Sequence, residues 1–374
     1  MKTQLTIDAR LINNSGIGVY LQNIIQHEAL QKFDVKLLYN RKDISYFGAL
    51  KPEINLSEFN ANLYSIKELL NSPKTTKGSD IFWSPHYNVP LVNFAKKLKI
   101  VTVHDVYHLA YYRTLSSKQR IYAKIMMHRA VEASDVVFTV SEYSKNEITK
   151  FTACKPAKIH VVHNGVDFLR YNKQWPVSEE ADVLLKYKIT HPYILFVGNV
   201  KPHKNLRNAL LGYRKFIEAA KGELKHIHFV IAGKQEGFIT GDDEIAKLIM
   251  KPFFKENVVF TGWVDNEDLP ILYQQASTFI FPSLYEGFGF PPLEAMAAGC
   301  PVVSSDAACL PEIYEDTVVY FDPWKVSSIA EALLEVLSNE ELRRELIQKG
   351  YKQSKKFTWD KAVNQKLEII KQNL

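Results

Sequence analysis

Short uninterrupted apolar runs alternate with stretches of helical periodicity along most of the chain, a pattern that predicts parallel sheets covered by helices on both faces. In the first half the runs predict strands at Leu5–Asp8, Val35–Leu38, Ile81–Ser84, Ile100–Val103, Val136–Val140 and Ile159–Val162. A second series predicts strands at Tyr193–Val197, His228–Ala232, Val258–Phe260, Thr278–Phe281, Val302–Ser304 and Val318–Phe321. Between them, from Asp167 to about Lys188, Trp175 and Pro176 lie among polar and charged residues without a strong β run, as in a domain connection. Val326–Gly350 and Thr358–Leu374 carry helical apolar spacing with few breakers and predict two or more outer helices. The expectation is an α/β protein of two doubly wound domains, 1–170 and 171–357. Ligands of such folds bind beyond the carboxyl ends of the strands, so the active site is expected where the two crevices meet.

Length and composition agree with two globular domains: 374 residues exceed one core, and 46% hydrophobic with 24% charged residues requires neither disorder nor a fibrous repeat. There is no internal repeat and no low-complexity tract. Cys154, Cys300 and Cys309 have no metal-type spacing, which argues against a disulfide framework or a zinc site and predicts reduced thiols. No stretch approaches the roughly 20 apolar residues of a spanning helix, and Met1–Asp8 reads as a strand rather than a leader, so a cytoplasmic protein is expected. The net charge of +6 is mild, and no nucleic-acid partner is expected. Charge is one-sided only over 111–129, where Arg113, Lys118, Arg120, Lys124, His128 and Arg129 interleave with Tyr111, Tyr112, Tyr122, Ile125, Met126 and Met127. That segment is either a solvated helix face or a peripheral contact with an anionic membrane, at the inner face of the cell membrane.

Four constellations carry candidate chemistry. In Phe281–Gly299 a strand runs into a glycine-containing loop, and a helix begins near Pro291 and ends at Gly299. Backbone amides and the helix dipole at such a start can hold a diphosphate, and Gly287 and Gly289 let the chain approach closely. Glu286 before the loop and Glu294 one turn into the helix flank that position. Paired carboxylate acceptors of this kind suit the vicinal hydroxyls of a sugar and a ribose; the plainer alternative is a solvated Glu286 and a Glu294 that complements the helix dipole. The second constellation, Phe196–Leu206, offers Lys201 and Lys204 to neutralise a leaving diphosphate, or two solvated lysines. The third, Ser15–Tyr20 with Gly16 and Gly18, allows close approach of a phosphate or sugar, or is a tight turn. The fourth is His104–Asp105 directly after an apolar strand, with His104 bonded either to a donor sugar or to its own backbone.

These residues resemble the retaining glycosyltransferases of the GT-B fold, group 1 or family 4, whose hallmark Glu-x7-Glu motif is matched by Glu286 and Glu294 and followed by Ala295–Val303 and Pro311–Glu312. The likeness runs over most of the chain and is strongest from Tyr193 to Glu312. It implies two Rossmann-like domains, with the 358–374 helix crossing back to the first. It further implies that Glu286 binds donor-sugar hydroxyls and Glu294 the ribose. Phe288 and Gly289 would bind the diphosphate and sugar through backbone amides, Lys204 the diphosphate and His104 the sugar; Gly16 and Gly18 match the N-terminal glycine loop, and Thr261–Gly262 follows the strand that lines the base pocket in the donor-binding half. Where many relatives carry a diphosphate-binding arginine, this chain has Asn199, with Lys201 or His203 as possible substitutes.

The resemblance implies a nucleotide-sugar donor, a glycan or lipid-linked acceptor, no cofactor and no metal, with His104, Lys204 and Glu286 in catalytic roles. Asp105 is the one nearby carboxylate to test as a nucleophile; attack from the leaving-group face is the expected route. The first-domain pattern Asp8-Ala9-Arg10 through Gly18, with His104-Asp105 and the Lys201–Asn205 loop, looks most like bacterial O-antigen-type mannosyltransferases and points to GDP-mannose. UDP-glucose, UDP-N-acetylglucosamine and a dTDP-deoxysugar stay open as donors. Nucleotide-sugar epimerases and glycan phosphorylases of similar architecture, and a binding protein without turnover, stay open as functions.

Overall fold

The computed structural model describes residues 2–48, 54–61, 65, 68, 75–90, 96–111, 117–233 and 243–374. The chain divides into two compact units, Met1–Gly165 with Trp359–Leu374, and Val166–Thr358.

Among the described residues the first unit holds a parallel sheet of β1 (Gln4–Asp8), β2 (Asp34–Tyr39), β3 (Asn55–Glu58), β4 (Ile81–Ser84), β5 (Leu98–Thr102), β6 (Val136–Thr139) and β7 (Ile159–Val161). The spatial order is β3-β2-β1-β4-β5-β6-β7. Alternate residues of each strand enter different cores, as the two-residue period requires. Ile81, Trp83, Ile100, Val136 and Phe138 pack on one face, and Phe82, Val101 and Val137 on the other. The first face is covered by the helix Ser15–Gln26 and by the last helix, Trp359–Gln372, which contributes Ala362, Val363, Leu367 and Ile370. The strand β3 has no counterpart in the sequence expectation. Its residues Asn55-Leu56-Ser57-Glu58 are largely exposed at a sheet edge, and pairing with β2 through the backbone defines it, not burial.

The other face is covered in part by the helix Ser117–Ala133, which overlaps the basic segment 111–129. Its Met126 and Met127 are buried, and the Tyr122 hydroxyl donates to Asn88 Oδ1 at 2.6 Å, so these apolar and aromatic side chains serve the core. Tyr111 stacks on Tyr107, with ring centroids 5.3 Å apart. Ile121 and Ile125 point outward, 62% and 59% exposed, beside exposed Lys118 and Lys124. Tyr112 and Arg113 lie outside the described residues. Among the described residues no helix is long and apolar enough to cross a membrane.

The second unit holds β8 (Tyr193–Val197), β9 (His228–Ala232), β10 (Val258–Gly262), β11 (Thr278–Phe281), β12 (Val302–Ser305) and β13 (Val319–Phe321), all parallel, in the order β10-β9-β8-β11-β12-β13. The stretch Asp167–Lys188, expected as a connection, carries the helices Phe168–Tyr171 and Val177–Lys186 and belongs to this unit. Gln274 Nε2 donates to the carbonyls of Tyr171 and Lys173 at 2.7 and 2.9 Å, and Lys186 Nζ bonds to Asp265 and Asp268. Side-chain bonds of this kind leave no apolar run in the sequence, and the division therefore falls at Gly165. The three cysteines are buried, and none is in a disulfide.

Candidate active site

The strand order of the second sheet reverses between β8 and β11, which are direct neighbours. A reversal opens a crevice at the carboxyl ends of those two strands, where doubly wound folds bind their ligands. The loops leaving β8 and β11, residues 198–205 and 282–289, lie within the second and first constellations of the sequence, Phe196–Leu206 and Phe281–Gly299. They are joined by a backbone bond from Leu284 N to His203 O at 2.7 Å.

Across this junction Lys204 Nζ donates to Glu286 Oε1 at 2.5 Å, with both side chains mostly buried. The ammonium also lies 5.4 Å over the ring of Phe281, the last residue of β11. Expected in separate roles, the two residues are one charge-assisted pair. Lysine carries three N–H donors, so Lys204 bonded to Glu286 keeps two for an incoming phosphate oxygen.

The helix Phe290–Ala298 begins at Gly289, whose φ is +85°, and stops at Gly299. A side chain at Gly289 would lie 2.1 Å from the Tyr314 hydroxyl, which donates to the Gly289 carbonyl at 2.8 Å. The missing side chain thus lets Tyr314 fix the loop. Pro291 and Pro292 have no N–H, so the first turn of this helix has fewer amides to offer a ligand than an ordinary helix start. Phe288 is buried edge-on to Phe290 and Phe357, with centroids 5.3 and 5.7 Å away, which presses its backbone into place.

One turn on, Glu294 accepts a hydrogen bond from the Tyr273 hydroxyl at 3.0 Å. Burial raises its carboxyl above the usual range, against the pull of Tyr171 and Tyr273 hydroxyls and the charge of Arg170. Tyr171, Tyr273 and Tyr314 escaped sequence reasoning. Tyr171 lies in the stretch read as a connection, and no spacing links the helix Leu269–Gln275 to Glu294 before the two helices pack.

The other expected donor residues of this unit are dispersed. Asn199 is exposed after β8. Thr261 and Gly262 do not follow β10 but end it, half-buried, and Thr261 Oγ1 donates to the carbonyls of Gly262 and Ile231 at 3.0 and 3.4 Å.

In the first unit the strand order reverses between β1 and β4. Gly16 is exposed and Gly18 buried in the first turns of the helix that follows β1. A side chain at Gly18 would meet the Ile12 carbonyl oxygen at 2.5 Å, so its smallness serves the chain's own turn. His104, after β5, donates from Nε2 to the Pro85 carbonyl at 3.0 Å and stands edge-on to Tyr20 with centroids 4.8 Å apart. A carbonyl only accepts, so the neutral ring carries its proton on Nε2 and its lone pair on Nδ1. Burial, with a contribution from Lys366, pushes the imidazole down to about 4. Asp105 Oδ1 accepts from Tyr107 N at 2.9 Å, a turn-forming role.

Two family models match the chain, Glycosyltransferase Family 4 over residues 14–170 and Glycosyl transferases group 1 over residues 181–353. O-antigen chain mannosyltransferase B of Escherichia coli is 30% identical over 300 residues, which cover 78% of this chain and 74% of that protein. O-antigen chain mannosyltransferase RfbU of Salmonella typhimurium is 27% identical over 238 residues, 64% of this chain and 59% of that one. In fold, the chain is similar to Anabaena HepE in complex with UDP-glucose, with a TM-score of 0.79 over 99% of both chains at 14% identity.

Proposed function

Because the chain belongs to the group 1 and family 4 glycosyltransferases of the GT-B fold, we propose that it moves mannose from GDP-mannose to a glycan or lipid-linked glycan of the cell surface. In this reading the transfer retains configuration and uses no divalent metal. The observation that carries transfer chemistry is the Lys204–Glu286 pair beside the start of the helix that bears Glu294, at the carboxyl ends of β8 and β11. A cation, a set of amides and two carboxylates are what a nucleoside diphosphate sugar needs, with positive charge for the diphosphate and acceptors for its hydroxyls. What favours mannose is the likeness to two O-antigen mannosyltransferases; HepE, whose structure holds UDP-glucose, is the argument for the rival donor.

The proposed step breaks the bond from the anomeric carbon to the β-phosphate oxygen and forms one from the acceptor oxygen to the same face of that carbon. The acceptor proton passes to the leaving phosphate. Lys204 and the amides of Gly287–Phe290 stabilise the charge that grows there, Glu286 and His104 hold sugar hydroxyls, and Glu294 holds the ribose.

The test is binding of GDP, UDP and dTDP to the purified protein, then nucleotide release from the matching sugars with and without a lipid-linked glycan, each repeated in EDTA. Selective GDP binding with mannose- and acceptor-dependent release in EDTA is the expected result. Selectivity for UDP or dTDP overturns mannose, loss in EDTA overturns metal independence, and conversion of the sugar without acceptor identifies an epimerase.

A further inference from the structure

The last helix presents Ala362, Val363, Lys366, Leu367 and Ile370 to the interior of the first unit, and Lys366 interrupts an otherwise apolar stripe. Its side chain is as buried as its neighbours, at 1% exposure. Among the described residues no group accepts a hydrogen bond from its ammonium. An aliphatic residue would fill this position without the desolvation cost of a buried ammonium.

Its surroundings give the lysine a use. The ammonium lies 5.2 Å over the ring of Tyr20, and the same ring carries the imidazole of His104 edge-on. Tyr20 is itself immobilised: its hydroxyl shares a 3.0 Å hydrogen bond with Thr102 Oγ1, which also accepts from Trp83 Nε1 at 2.9 Å. Lysine, tyrosine and histidine thus form one contiguous assembly, the ammonium over the Tyr20 ring and the imidazole edge-on to it.

The charged groups on the elements around it are occupied elsewhere. The Ser15–Gln26 helix has no ionised side chain. His27 is bonded to Asp360 at 2.9 Å, and Lys32, on the turn Glu28–Lys32 that also holds Glu28, acts on Glu368. On the His104 side, Asp105 forms its local turn, while His86, which takes the Asn88 amide on Nδ1, also faces His104 electrostatically, so that each imidazole disfavours a charge on the other. Burial alone pushes the Lys366 ammonium down to about 7, while its charge and burial both favour a neutral His104.

We propose that Lys366 is a positioning residue for His104: across the shared Tyr20 ring its ammonium adds to burial in keeping the imidazole neutral and oriented, with Nδ1 as a hydrogen-bond acceptor. The proposal rests on the reading of His104 as the partner of a donor-sugar hydroxyl. A protonated imidazole has no lone pair and could not accept from that hydroxyl.

The test is K366M in the full chain, read first by proton and nitrogen NMR of the histidine rings, with the His104 signals assigned by their loss in H104Q. The variant is expected to fold and to melt above the wild type at neutral pH. That gain should shrink as pH rises from about 7 toward the ordinary lysine value, where the unfolded chain also loses the charge. Against this folding control, the His104 titration midpoint is expected to move up, and its donor kcat/KM to fall roughly three- to tenfold, a fraction of one hydrogen bond. The loss should steepen on the acid side of the profile. An unchanged His104 titration and tautomer in folded K366M overturns the proposal. If the NMR coupling is present but H104Q itself turns over donor at the wild-type rate, the sugar contact of His104 falls and the positioning role with it.

Discussion

Glu294 sits in a buried setting that works against its charge. Its carboxyl is raised by burial, and the Tyr171 and Tyr273 hydroxyls and Arg170 offset only part of that cost. The unfolded chain releases this proton at the ordinary carboxylate value and the folded chain only at higher pH. The wild type therefore loses stability as pH rises through that window, and the loss persists at neutral pH. E294Q keeps an acceptor for Tyr273 and carries no charge. Its melting temperature is expected to exceed that of the wild type at pH 7 and to match it below the ordinary carboxylate value. In the same variant, nucleotide-sugar binding should weaken roughly tenfold, because a charged acceptor for the ribose has become a neutral one. Calorimetry across pH with a binding titration checks both; tighter or unchanged donor binding would remove Glu294 from the ribose. The carboxylate and its spacing to Glu286 were visible in the sequence, but the tyrosines that hold it were not, since they reach it only through helix packing.

At the scale of elements, continuous apolar strands such as Ile81–Ser84, Tyr193–Val197 and Thr278–Phe281 were legible to the residue, because burial on both faces of a parallel sheet leaves an unbroken run. β3 was not, because an exposed edge strand has no such mark. The helix Phe290–Ala298 was legible at both ends through Pro291 and Gly299, though not the reason Gly289 is needed. G289A is expected to cost roughly 2–3 kcal/mol, combining a strained left-handed backbone with a clash on the Tyr314 hydroxyl. Y314F clears the clash but not the backbone, so urea unfolding of G289A/Y314F should show less destabilisation than the two single losses summed. Full additivity would mean that the two residues do not meet. The helix Ser117–Ala133 gives a second prediction. Its exposed Ile121 and Ile125, one turn apart beside Lys118 and Lys124, suit an anionic bilayer. The protein is expected to sediment with vesicles containing anionic lipid at low salt, and I121D/I125D to stay in the supernatant while keeping its thermal stability. A wild type that does not sediment would leave the helix face as merely solvated.

At the scale of the whole molecule, the first unit is assembled from both ends of the chain, with all of the second unit between them in sequence. That the last helix joins the first core was not readable from its periodicity, which shows an apolar stripe but not the surface that receives it; resemblance supplied the expectation. The consequence is energetic. Val363, Leu367 and Ile370 are fully buried against the first sheet, and at about 1.5–3 kcal/mol each their burial amounts to roughly 5–9 kcal/mol. A domain's whole stability is typically about 5–15 kcal/mol. A chain ending at Thr358 is therefore expected to lose the first unit and keep the second, because Val166–Thr358 retains its own sheet and its own core. Hydrogen exchange followed by proteolysis should show β1, β4 and β5 unprotected while β8, β11 and β12 exchange as slowly as in the full chain. The 359–374 peptide added back in excess should restore protection to the first unit, since what is missing is a packed surface and not a covalent link. If β1, β4 and β5 stay protected in the truncated chain, the first core stands without its last helix. Its completion would then not have to wait, during synthesis, for the final residues to appear.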